Sequence, residues 1–221
     1  MGSFRAVLFD AGDTLIRLSG SPGVLLRAAA AALGADPDPD ELALVWQRVL
    51  DRSGTAEELA KGRDLSTARH REVWTALYTA AGCERIVPGL SAEVYARTVD
   101  AASWEAFPDS VPVLRAVRER GLRVGVVSDT GFDLRPALDR LGLSAHLDAV
   151  VQSYELGVCK PAPKAFLTAC DRLAVPPERT LMVGDNPLTD GGAVGAGLTA
   201  LLLPRPEPTG PRGLDRVLAL L

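Results

Sequence analysis

Five carboxylates, one serine and one lysine stand where short apolar runs of this chain give way to turns containing Gly or Pro. Asp10 directly follows Ala6-Val7-Leu8-Phe9, with Gly12 and Asp13 just behind it. A carboxylate at the rigid, partly dehydrated mouth of an apolar strand suits a nucleophile or a metal ligand. After the run Leu122 to Val127, Ser128-Asp129-Thr130-Gly131 sets a hydroxyl beside a turn whose N–H groups can hold an anion. Lys160, one of three lysines in the chain, is followed by Pro161, which stiffens its loop. Gly184-Asp185-Asn186-Pro187-Leu188-Thr189-Asp190 then offers a pair of acids, Asp185 at a strand tip and Asp190 where a helix should begin. Such a pair suits Mg²⁺, a hard cation that takes oxygen ligands and keeps water and substrate phosphate. Asp190 by itself reads equally well as a helix N-cap.

The elements that must position these residues follow from the apolar runs Ala6 to Phe9, Leu122 to Val127, Ala149 to Val151, Thr180 to Val183 and Thr199 to Leu203. From the second run onward helical patterns separate them. The alternation predicts an α/β protein with a doubly wound, Rossmann-like parallel sheet, whose strand C-termini share one edge. The segment between the first two runs is far longer than a strand crossover, and its periodicity is helical, with turn signals at Gly34 to Pro39 and Gly82 to Gly89. It predicts an inserted α-helical module over residues 17–105, with 1–16 and 106–221 forming the core. Trp46, Trp74 and Trp104 are expected to pack on apolar faces of that module. The Pro-rich stretch Pro204 to Pro211 precedes a short helix predicted over Gly213 to Leu220.

Composition narrows the partners. The chain has 221 residues, 47% of them apolar, enough for one core plus an insertion. A formal net charge of -4, with arginines scattered among acids, leaves no basic stripe for nucleic acid. No basic leader with an apolar run and no membrane-length apolar window is present. Three cysteines, an odd number without ligand-like spacing, suit a reducing cytoplasm better than a disulfide framework.

In order and in strand placement, Asp10, Ser128, Lys160 and the Asp185/Asp190 pair resemble the four motifs of the haloacid dehalogenase superfamily. Leu141-Gly142-Leu143, Lys160-Pro161-Ala162-Pro163 and Gly191-Gly192-Ala193 extend the resemblance over essentially the full chain. The resemblance implies a helical C1-type cap in the insertion and a Mg²⁺-dependent phosphatase of a small phosphorylated metabolite. It implies that Asp10 attacks phosphorus, becoming an aspartyl-phosphate, and touches Mg²⁺. Ser128, Asp129 and Lys160 would bind the phosphoryl group. Asp185 would bind the metal, Asp190 would hold a ligand or its water, and the carbonyl of Gly12 would complete the set.

The sequence departs from that pattern at Gly12, where the family's phosphatases place a second Asp that protonates the leaving group. General acid–base help is worth about 10²- to 10⁴-fold. Asp13 is a candidate substitute, but in extended backbone it points away from Asp10, so that only a tight turn returns it; a turn-stabilising role is the alternative. Arg52, Lys61, Arg63, Asp64, Arg69 and His70 form a polar stretch of the insertion that would close over substrate or simply be a solvated face, and His70 has a side chain able to titrate near neutrality. A leaving group needing little protonation is a further way round the missing acid. Dehalogenases of the superfamily also lack the second acid, although the metal-free enzymes carry Ser in the Asp185 region and Asn after the Ser128 position. A phosphonatase would need Lys61 as a Schiff-base lysine, and a Mg²⁺- and phosphate-binding protein without turnover is the reading from another functional class.

Overall fold

In chain order the strands are β1 (Ala6–Phe9), β2 (Ile16–Leu18), β3 (Trp104–Ala106), β4 (Arg123–Ser128), β5 (Ala149–Gln152), β6 (Thr180–Gly184) and β7 (Thr199–Leu202). The computed structural model describes residues 4–20, 22–205 and 210–221, so part of the Pro-rich stretch, 206–209, lies outside the described residues. All four residues of β1 are fully buried because both faces of the strand are covered. Val7 and Phe9 enter one apolar cluster and Ala6 and Leu8 another, as the two-residue period of a strand requires.

β1 lies at the centre of a five-stranded sheet ordered β5-β4-β1-β6-β7, and each neighbouring pair is parallel. The chain steps outward from β1 through β4 to β5, then returns to the other side for β6 and β7. Asp10 therefore leaves the sheet at the point where its winding reverses, the place where open parallel sheets bind ligands. β4 extends one residue beyond the predicted run at its C-terminal end, which makes Ser128 itself the last strand residue, paired in register with Gln152.

Helices α1 (Pro22–Ala32), α2 (Pro39–Ser53), α3 (Ala56–Ala60), α4 (Thr67–Ala81), α5 (Cys83–Ile86) and α6 (Leu90–Val99) fill the segment between β2 and β3. They have their own apolar cluster, in which Leu26 and Ala30 of α1 meet Val45 of α2, Leu77 of α4 and Val94 of α6. Caps fix their ends: Ser66 accepts the Arg69 N–H at the start of α4, and Gly82, at φ 112, returns its N–H to Tyr78 and Thr79 at the end. β2 and β3, absent from the sequence prediction, pair antiparallel at the root of this helical layer, with Arg17 opposite Glu105. At three residues each they are too short to show alternation, and the Arg17–Glu105 ion pair that joins them at 2.7 Å spans 88 positions.

Around the sheet lie α7 (Ser110–Glu119), α8 (Arg135–Arg140), α9 (Ser153–Leu156), α10 (Pro163–Leu173) and α11 (Asp215–Leu218). α7 places Val113, Leu114 and Val117 on the Val7/Phe9 face, and α10 places Ala165, Phe166 and Ala169 on the opposite one. α11 is shorter than the predicted Gly213 to Leu220, but Leu214 and Val217 still bury against the first face. The approach to it is held by Asp109, whose carboxylate accepts the N–H groups of Arg212, Gly213 and Leu214 at 2.8 Å each. Among the described residues no helix is long and apolar enough to cross a membrane.

Candidate active site

Four loops meet at the C-terminal edge of the sheet, and close approach between them depends on glycines. A Cβ on Gly184 would lie 2.2 Å from the Asp190 carboxylate, and one on Gly192 would lie 2.3 Å from the Pro161 side chain. With that clearance, Lys160 Nζ reaches both Asp10 Oδ1 and Asp190 Oδ1 at 2.6 Å. Asp190 is 1% exposed, and its other oxygen accepts the N–H groups of Asp185 and Asn186, each at 3.0 Å. The N-cap reading is corrected: Thr189 holds the cap position, Asp190 is the first residue of the short 3-10 segment that follows, and its side chain instead ties down the preceding loop. Asp129 accepts the backbone N–H of Lys160 at 3.0 Å, so its carboxylate props the lysine loop. Ser128 is nearly buried, and among the described residues its hydroxyl has no hydrogen-bond partner.

The loop after β1 is a tight turn. The Ala11 carbonyl accepts from Leu15 and Ile16 at 2.9 and 3.0 Å, and Asp13 donates its N–H to Ile16 at 2.8 Å. Asp13 takes the left-handed conformation, at φ 54. The extended geometry expected from sequence is therefore corrected: the chain turns tightly at Asp13, an exposed residue that lies on the lining of the same cavity as Asp10 and Asp185. Arg212 binds the Asp13 carbonyl through Nε at 2.5 Å. The Gly12 carbonyl accepts no hydrogen bond from the described residues.

The electrostatics are those of acids in excess over the cations beside them, Lys160 at the centre and Arg212 on the Asp185 flank. Burial raises the Asp10 carboxyl, Lys160 draws it back, and Asp190 and Asp185 push it up again. Burial opposes the Lys160 ammonium, but Asp10, Asp190 and Asp129 outweigh it and keep the lysine charged beyond the ordinary range. Asp185 is raised by burial and by Asp13 and Asp190, and Asp129 is pushed to about 6, chiefly by burial. Asp10, Asp185 and Asp190 each place a carboxylate oxygen within 4.8 Å of the others. Oxygen donors only, in negative excess over the single ammonium, fit a hard divalent cation such as Mg²⁺.

A cavity of about 640 Å³ opens from this cluster to the helical layer. Of the polar stretch noted in the sequence, Arg63, Asp64 and His70 line it. Lys61 instead pairs with Glu58 at 2.7 Å, and Arg69 binds the Lys61 carbonyl at 3.0 Å. His70 does not titrate near neutrality. It is 4% exposed, and burial, with the nearby Arg63 charge, lowers its pKa to about 4. Its Nδ1 lies 3.0 Å from the Tyr95 hydroxyl, and its Cβ packs where a side chain on Gly131 would have to go. The tryptophans do more than pack: Trp46, Trp74 and Trp104 all line the cavity.

Residues 4–197 match the haloacid dehalogenase-like hydrolase family. The chain is a haloacid dehalogenase-like hydrolase. This hydrolase is 32% identical over 208 residues to a glyceraldehyde 3-phosphate phosphatase of Methanopyrus kandleri, covering 91% of this chain and 84% of that one. It is 28% identical over 208 residues to (S)-2-haloacid dehalogenase 1 of a Pseudomonas species, covering 93% and 86%. The crystal structure of a HAD phosphatase from Thermococcus onnurineus shares the fold, with a TM-score of 0.65 at 23% identity over 98% of this chain and 97% of that one.

Sequence reasoning missed two polar residues of this haloacid dehalogenase-like hydrolase. Arg212 is 4% exposed, and its charge acts on Asp185 and Asp13. Ser153 accepts the Thr130 N–H at 2.9 Å and lies 2.7 Å from the Asp64 carbonyl, to which its hydroxyl donates, so one side chain joins the Ser128 loop to the helical layer. Neither residue belongs to a local pattern, and their partners are distant in sequence.

Proposed function

We propose that this hydrolase is a Mg²⁺-dependent phosphatase that moves the phosphoryl group of a small phosphate monoester onto Asp10, with residues 17–105 acting as a cap over 1–16 and 106–221. The observation that carries this reading is the Lys160 ammonium shared between Asp10 and Asp190 at 2.6 Å each. A dianionic substrate approaching a carboxylate nucleophile needs such a fixed positive charge. Lys160 occupies Asp10 Oδ1, and Oδ2 has no hydrogen-bond partner among the described residues, which leaves it to attack phosphorus. The P–O ester bond breaks and its electron pair departs with the leaving oxygen. Water then adds to the aspartyl-phosphate, releasing inorganic phosphate and restoring the carboxylate. Ser128 donates its free hydroxyl to a phosphoryl oxygen, and Lys160 offsets the charge gathering between the two anions.

Asp10, Asp185 and the Gly12 carbonyl would hold Mg²⁺, with Asp190 behind them orienting the Asp185 loop. When bound, Mg²⁺ supplies positive charge to the phosphoryl oxygens. Asp13 lies on the Asp185 and Arg212 flank, and we assign it to charge balance there rather than to acid–base transfer. A small-molecule substrate and a cytoplasmic setting complete the reading; the latter is supported by free thiols at Cys83, Cys159 and Cys170.

The Pseudomonas relative keeps a second reaction in view, attack of Asp10 on a 2-haloacid. The Asp10, Asp185 and Asp190 cluster favours the metal-dependent phosphatase, because a metal-free site has no use for that concentration of negative charge. The test is phosphate release from p-nitrophenyl phosphate with Mg²⁺, set beside chloride release from 2-chloropropionate without it. Phosphate release abolished in Asp10→Asn is the expected result. Chloride release alone, or phosphate release indifferent to Asp10→Asn, would overturn the proposal.

A further inference from the structure

We infer that the substrate is a phosphate ester of a phenol whose ring carries no charge of its own, the ring seated against the aromatic wall of the cavity and the phenoxide departing without a general acid. The inference rests on the phosphatase reading and names the substrate class of the same site. Two features meet in it. The first is the aromatic part of the cavity lining, where the half-buried Trp46, Trp74, Trp104 and Phe132 stand, with Tyr78, itself almost fully buried, beside Trp74. Aromatic residues are 5% of the chain, so this is a concentration of them. Trp74 and Tyr78 stand with ring centroids 5.7 Å apart, and Trp104 and Phe132 at 6.1 Å, so the rings of the lining pack on one another.

The wall carries little net charge. On the helical side, among the described residues lining the cavity, Arg63 and Asp64 are the charged pair, and they face one another at 3.6 Å. The Arg63 guanidinium also lies over the Trp74 ring, 4.7 Å from its centroid. His70, held neutral by burial, adds no charge. A leaving group bearing a carboxylate or a second phosphate finds no free cation here, whereas a neutral ring finds planar apolar surface.

The second feature is the missing acid. Gly12 cannot protonate a leaving oxygen, and His70 is packed between Tyr95 and Phe132, with ring centroids at 5.5 and 5.3 Å. A phenol ionises near about 10, roughly five units below water, so phenoxide can depart unprotonated where an alkoxide cannot. Acyl phosphates satisfy that condition but leave the wall unfilled.

Four donors separate the two features: phenyl phosphate has ring and good leaving group, benzyl phosphate the ring alone, acetyl phosphate the leaving group alone, and glycerol phosphate neither. We expect kcat for phenyl phosphate to exceed that for benzyl phosphate by about 10²-fold or more. Its KM should be about tenfold below that of acetyl phosphate, and Trp74→Ala should narrow the phenyl-to-acetyl ratio of kcat/KM by about tenfold. A binding measurement needs no turnover. Phenylphosphonate should quench the fluorescence of the cavity tryptophans at concentrations at least about tenfold below methylphosphonate. Equal kcat for phenyl and benzyl phosphate, glycerol phosphate as the best donor, or equal quenching by the two phosphonates would overturn the inference. Those outcomes leave Asp10-dependent phosphate release standing, whereas no release from any of the four donors would overturn the phosphatase reading with it.

Discussion

At Gly12 the chain offers a carbonyl and no carboxylate, and the backbone there leaves room for one. No heavy atom lies within 4 Å of a Cβ built on Gly12, and its φ is outside the left-handed region. Gly12→Asp should therefore fold, and it should raise kcat for glycerol phosphate by about 10²-fold through restored protonation of the leaving oxygen, as steady-state kinetics would read. Gly131 is the opposite case. A Cβ there would lie 2.2 Å from His70 Cβ, so Gly131→Ala must displace α4 or the Ser128 loop and should cost about 1–3 kcal/mol in thermal denaturation. Residues such as Asp10, Ser128 and Asp185 were legible in the sequence because each lies at the end of an apolar run, and Lys160 because it is one of three lysines and stands before a proline in the loop after the third run. Arg212 was not, and the burial of His70 was not, since each depends on a partner brought near only by folding: Asp13 for the one, the Gly131 turn for the other.

α4 carries a buried imidazole, and that makes its docking pH-dependent. His70 titrates at about 4 in the folded protein, against an ordinary value of 6.5. On acidification the unfolded chain takes the proton first, so the stabilising contribution is complete above pH 6.5 and is lost between there and pH 4. The loss reaches roughly 3 kcal/mol. Melting temperatures at pH 7 and pH 4.5 should differ more for the natural protein than for His70→Gln, and equal differences would refute the assignment. The strands of the main sheet were readable from their apolar runs. β2 and β3 were not, because a three-residue ribbon whose partners join across 88 positions has no local period. The cavity wall was hidden for a related reason: helical periodicity gives the apolar face of α2 and α4, but not that Trp46 and Trp74 lie where that face opens toward the sheet.

The molecule brings two separately cored layers together over one acidic cluster, and a cation bound there should report on the whole. A ligand at about a hundred times its Kd contributes about 2.7 kcal/mol, equivalent to about 5–10 °C in a protein of this size. Mg²⁺ should raise the melting temperature by that order in the natural protein and not in Asp185→Asn. Architecture was the most legible scale, since the alternating runs and the long helical interruption prescribe a parallel sheet with an insertion. How the insertion faces the sheet edge depends on Ser153, Gly131 and the β2–β3 ribbon acting together, which no single stretch of sequence displays. The bond from Arg212 to the Asp13 carbonyl spans 199 positions. At roughly 5–20 residues per second, a ribosome needs about ten to forty seconds between making that loop and supplying the guanidinium that ties it. The reactive loop is thus completed late in synthesis, after the helices that enclose it already exist.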